Sequence, residues 1–128
     1  MAGRSDANLS RRERQIMDIV YAKGQVSVAE VHQAIADRPS YSSVRALMRI
    51  LEDKGHLRHK EEGMKYIYLP TRSREEASRS AAKRLLQTFF DGSMEQAVAA
   101  LLKVSPELND EKLTRLAQMI ERARKEGR

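Results

Sequence analysis

The 128 residues carry 24 Lys plus Arg against 18 Asp plus Glu, a formal net charge of +6 with a pI near 9.8, and no cysteine. The length allows one domain or two very small ones, and the lack of thiols excludes disulfides, thiolate metal sites and cysteine nucleophiles, which suits a reducing cytosol. No run approaches the roughly 18 apolar residues of a membrane span, and the polar start MAGRSDANLSRRER offers no secretion signal, so a cytoplasmic protein is expected.

Helix starts are legible through the pattern Ser-x-x-Glu/Gln. The serine accepts from an orphan backbone N–H, and the acid or amide reaches back to the serine's own N–H. Ser10/Glu13 opens a helix with Ile16, Met17 and Val20 on one face, ending near Lys23-Gly24. Ser27/Glu30 opens a second, with Val28, Val31 and Ile35 on its stripe, ending before Pro39. Ser40 is the expected cap of a third, SYSSVRALMRILEDKG, whose apolar stripe is Val44, Leu47, Met48 and Leu51; Gly55, free to take positive φ, terminates it.

The period then changes. Leu57 to Glu62 and Met64 to Leu69 flank Gly63, and Tyr66, Ile67 and Tyr68 have strand-type side chains, so a hairpin closed by Pro70 is expected. Ser73/Glu76 starts a helix carrying Ala77, Ala81, Leu85, Leu86 and Phe89, broken at Asp91-Gly92. Ser93/Gln96 starts a shorter one with Ala97, Val98, Leu101 and Leu102, and after Ser105-Pro106 a last helix carries Leu113, Leu116, Ala117 and Ile120.

Three helices and a hairpin in that order are the plan of a winged helix-turn-helix, whose third helix enters the DNA major groove while the hairpin lies against the backbone. The expected fold is therefore mainly α with a small β-hairpin. Residues 1–71 are the winged helix-turn-helix DNA-binding domain, and 72–128 a helical dimerisation domain. Leu85, Leu86, Phe89, Leu101, Leu102, Leu113, Leu116 and Ile120 are too many large apolar side chains for a thin helical tail to hide, which points to a homodimer; folding back on the first domain is the alternative.

Positive charge must act through arrangement, since each half of the chain holds twelve basic and nine acidic groups. The outer face of the third helix supplies that arrangement. Ser42 and Ser43 can donate to phosphates or base edges, Arg45 and Arg49 can reach a guanine or a phosphate, and Ala46 permits close approach to a thymine methyl. In the hairpin Arg58, Lys60 and Lys65 are candidate phosphate contacts, offset by Glu61 and Glu62, while Tyr66 and Tyr68 read as packing residues. His56 and His59 lack a clear third ligand, and His32 stands apart, so no metal is expected. No Gly-rich phosphate loop, Ser/His/acid set or paired carboxylates are legible; no catalytic residue or cofactor is expected either.

Several stretches together resemble the penicillinase repressor family, the BlaI/MecI type of bacterial winged-helix repressor. They are Leu9-Ser10 with Glu13 and Ile16-Met17, Tyr41-Ser-Ser-Val44 with Leu47 and Leu51, Asp53-Lys-Gly-His-Leu57, Glu62-Gly63, Tyr68-x-Pro70 and Phe90-Asp-Gly-Ser93. The resemblance implies a homodimer whose winged helices bind an inverted-repeat operator in double-stranded DNA and whose C-terminal helices interlock. It adds Tyr41 to the DNA-binding set, at the start of the recognition helix. Val20-Tyr21 replaces the family's leucine-tryptophan pair. A regulatory protease cuts some members at an Asn-Phe bond, where this chain has Ala100-Leu101, and the cysteines of copper-responsive relatives are absent. Two other classes fit the fold: a winged-helix protein-interaction module and a small-molecule-responsive regulator.

Overall fold

The computed structural model describes residues 9–127. Helix α1 (Arg11–Lys23) starts on Ser10 and α2 (Val28–Ala34) on Ser27, each with both arms of the capping box formed. In α3 (Tyr41–Asp53) the Ser40 side chain accepts from Ser43 N–H at 3.1 Å. Its C-terminus closes with Gly55 N–H on the Glu52 carbonyl and His56 N–H on that of Leu51. That double closure needs Gly55 at φ 88, a conformation that residues with a Cβ resist.

Strands β1 (Leu57–Glu62) and β2 (Lys65–Pro70) pair antiparallel with Leu57 opposite Pro70 and Glu62 opposite Lys65. Met64 therefore belongs to the turn and not to the second strand. The loop is Gly63-Met64, with Gly63 at φ 62, the geometry that places glycine first in a two-residue hairpin. The hairpin is also tied to the α1–α2 link by a bridge that the sequence did not announce: Val26 and Tyr68 exchange both backbone hydrogen bonds, at 3.0 and 2.7 Å.

The remaining helices are α4 (Arg74–Phe90), α5 (Met94–Val104) and α6 (Asp110–Lys125). Ser73 and Glu76 form the box at the start of α4. Ser93 caps α5 with one arm only: its own N–H is taken by the Phe90 carbonyl at 2.7 Å, leaving nothing for Gln96 to reach back to. Helix α2 stops at Ala34, four residues before Arg38, where φ of 46 and the following Pro39 forbid helix continuation. Helix α6 starts on Asn109, whose side chain accepts from Lys112 N–H, rather than directly after Pro106.

The chain divides into two units, one ending at Ala81 and one beginning at Ala82, so the boundary falls within α4. The core of the first comprises Ile16, Met17 and Val20 from α1, Val26, Val28, Val31 and Ile35 around α2, Val44, Met48 and Leu51 from α3, and Leu57 and Tyr68 from the hairpin. Leu47, expected among the buried stripe, is only partly buried against that cluster. In the second unit Ala97 is the buried residue among those described, and the larger side chains of its helices are exposed or half-buried. No helix among the described residues is long and apolar enough to cross a membrane.

Candidate nucleic-acid interface

The core stripe of α3 determines what its opposite face can do. With Val44, Met48 and Leu51 turned inward, Ser42, Arg45, Ala46 and Arg49 recur at helical spacing on the outside and line one open groove. Tyr41 opens that row, half-exposed, with the His32 ring edge-on to it at 5.8 Å. Ser43 does not line the groove: its hydroxyl accepts from Ser40 at 2.9 Å while its N–H is capped by the same serine, so it serves the helix start.

The hairpin forms the far wall, and its pleat sorts the candidate cations. By the register, Arg58, Lys60, Glu62, Lys65, Ile67 and Leu69 project to one face and Leu57, His59, Glu61, Tyr66, Tyr68 and Pro70 to the other. Lys65, at the turn, still reaches the groove, together with Met64, His59, Tyr66 and Tyr68. Arg58 and Lys60 do not line it, and the Lys60 ammonium is 3.4 Å from Glu62.

His59, which by sequence offers only an incomplete metal set, has a different environment. Its Nδ1 lies 2.8 and 2.7 Å from the two carboxylate oxygens of Glu52 on α3. Its ring stacks on Tyr66 at 4.0 Å and 13°, with Tyr68 tilted at 5.7 Å. His56 is instead buried at the base of the hairpin, where its backbone carbonyl accepts from Thr71. The two histidines thus occupy separate environments, and among the described residues no group of three or more His, Asp or Glu is placed so that it could hold a metal ion.

The electrostatics of the groove are mixed. Burial raises the pKa of the Tyr68 hydroxyl, the Glu52 and Tyr66 charges add to that, and Arg49 and Arg45 oppose it. The two arginines and the carboxylates of Glu52 and Asp53 therefore share one groove. Glu52, His59, Met64 and Tyr66 lie outside the DNA-binding set read from the sequence. The alternation of β1 with the Gly63 turn was the signal that could have placed His59 beside the tyrosines.

The three helices, the hairpin and this outer face define a winged helix-turn-helix DNA-binding protein. The chain belongs to the penicillinase repressor family, whose model it matches over residues 9–122. It is 22% identical over 115 residues to the penicillinase repressor of Bacillus licheniformis, covering 88% of this chain and 89% of that protein. A solved structure described as "Mechanism for regulation of DNA binding of Bordetella bronchiseptica BpsR by 6-hydroxynicotinic acid" aligns with a TM-score of 0.49 and 14% identity, over 94% of this chain and 79% of that one. The protein is accordingly a transcriptional repressor, in a family of regulators rather than of enzymes.

Proposed function

We propose that the protein represses transcription as a homodimer that occupies an inverted-repeat operator, with α3 of each copy in the major groove. The observation that carries this reading is that Ser42, Arg45, Ala46 and Arg49 line the same groove as Lys65 of the wing. Short and cationic side chains alternate on that face, so the helix can approach the bases closely while arginine supplies donors to guanine or phosphate. Tyr41 and Ser42 lie at the first turn, where backbone N–H groups favour a phosphate. Ser43 sets that turn, and Arg58 and Lys60, on the other face of the wing, act at most on a flanking phosphate.

The second copy is held by residues of α4 to α6. Phe89 is 73% exposed and Ile120 58%, and Leu85, Leu101, Leu102, Leu113 and Leu116 are exposed as well, with Leu86 half-buried. A second copy presenting the same faces would cover them, since a twofold interface is self-complementary. Two half-sites engaged together then gain effective concentration over one. The domain division in this reading is a winged helix up to residue 71 and a dimerisation domain from 72. A regulatory protease is the partner that would end repression. Ala100-Leu101 lies inside α5, so cutting there requires that helix to open first.

The test is selection of bound sequences from a pool of random duplexes, followed by titration of the selected and a scrambled duplex at two salt concentrations. The expected result is an inverted repeat, a large specificity ratio and a steep salt slope. Equal weak binding to both duplexes would overturn the reading in favour of an interaction module.

A further inference from the structure

The groove face of α3 carries two carboxylates, Glu52 and Asp53, among its cations, and of these Glu52 is the one engaged by the wing. Glu52 stands three residues after Arg49, and Arg45, Arg49 and Glu52 all line the groove. An arginine and a glutamate three apart on a helix attract each other, and an arginine so engaged has fewer donors left for another anion. Glu52 is turned elsewhere, with both oxygens on His59 Nδ1 at 2.8 and 2.7 Å. Among the described residues neither Arg45 nor Arg49 stands in an ion pair.

The His59 ring is itself held for this contact. Tyr66 stacks on it at 4.0 Å, and Tyr68, directly opposite in the register, packs beside it, tilted, at 5.7 Å. The tyrosines restrict the ring to an orientation in which Nδ1 meets Glu52. Two elements are joined by one side chain: the wing supplies the histidine and the recognition helix supplies the acid.

We propose that His59 is a positioning residue that occupies the Glu52 carboxylate and so keeps the Arg49 guanidinium available to operator DNA. The inference rests on the DNA-binding reading of α3 given above. Without His59, Glu52 turns back along the helix to Arg49, and the groove loses one of the two arginines of α3 without any change of fold.

The test compares the full-length protein with His59→Phe, Glu52→Gln and the double variant. Phenylalanine keeps the stack on Tyr66 and removes the donor. Against the duplex selected from the random pool, His59→Phe is expected to bind about tenfold more weakly, the scale of one lost arginine contact. Glu52→Gln and the double variant are expected near the original affinity, because the carboxylate that His59 occupies is gone while Asp53 is the same in every variant. Rescue by the second substitution is an outcome that a purely structural role for His59 does not give. A readout without DNA accompanies it: in nitrogen NMR spectra of the arginine side chains, the Arg49 Nε–H becomes protected from exchange in His59→Phe and is released in the double variant. Equal weakening of single and double variants, or an Arg49 signal indifferent to His59→Phe, overturns the proposal. Should the original protein show no sequence preference while the Arg49 signals shift as expected, the DNA reading fails and the guarding contact stands.

Discussion

Lys54, which ends α3, donates from Nζ to both carboxylate oxygens of Glu13 on α1, at 2.9 and 3.0 Å, although Glu13 is only 3% exposed. Burial by itself would raise the Glu13 pKa. The Ser10 backbone N–H, the Lys54 ammonium and the Ser10 hydroxyl outweigh it and hold the carboxyl below its ordinary 4.5. Glu13 thus completes the cap of α1 and fastens the far end of α3.

A folded-state pKa below the unfolded one gives stability that is fully present above about pH 4.5 and is lost as pH falls through the lower folded value. Urea midpoints measured from pH 7 downward should fall in that acid range, and Glu13→Gln should flatten the fall. At pH 7 the same substitution is expected to cost ~1–3 kcal/mol, the range for disrupting hydrogen bonds at a buried group. An unchanged acid profile in Glu13→Gln would show that other carboxylates govern it.

Arg49 and Arg45 are distinguishable on DNA. If either reads guanine through both arms of its fork, its change to Ala should cost ~1–3 kcal/mol on the selected duplex and relax preference at one base pair per half-site. A phosphate grip would instead weaken all sequences alike and reduce the salt slope by about one per subunit. Competition assays with singly altered duplexes separate the two patterns. If Arg45→Ala, Arg49→Ala and Ser42→Ala all leave affinity intact in folded protein, α3 is not the reading element.

Leu51 and Leu47 belong to one sequence stripe but differ in burial, since Leu51 is 0% exposed and Leu47 packs only at the edge of the cluster. Leu51→Ala should therefore cost ~2–5 kcal/mol in urea unfolding, with a cavity left behind. Leu47→Ala should cost about half as much or less, because less apolar area is returned to water. Equal losses would mean that the edge of the cluster is packed as tightly as its centre.

Leu116 and Ile120 test association. Both are exposed on α6, at 39% and 58%, and lie on the face assigned to the second copy. Replacing both with Glu should give a monomer in sedimentation that keeps its helix content but binds the selected duplex poorly, because the half-sites no longer act together. A monomer for the unsubstituted protein at micromolar concentration would remove the dimer from the proposal.

Local chemistry makes most of the architecture legible in the amino acids themselves. A capping serine and its acid three residues on act within one turn, so Ser10/Glu13, Ser27/Glu30 and Ser73/Glu76 place helix starts by themselves. Gly55 and Gly63 likewise mark φ values that other residues resist, which locates the end of α3 and the hairpin turn. The periodicity of Val44, Met48 and Leu51 then leaves Ser42, Arg45, Ala46 and Arg49 on the outer face. These residues determined the order of elements, most of the core and the face presented outward.

Contacts between residues distant in sequence were decided only by tertiary structure. Nothing local in Val26 announces its bridge to Tyr68, nothing in Glu13 its grip on Lys54, and nothing in Glu52 its contact with His59 across seven residues and a change of element. The fold of the hairpin likewise settled that Arg58 and Lys60 stay outside the groove while Lys65, on the same pleat face but at the turn, reaches it. A charge in a sequence has a sign but no direction. Packing supplies the direction, and with it decides which carboxylate is occupied and which guanidinium is left for a ligand.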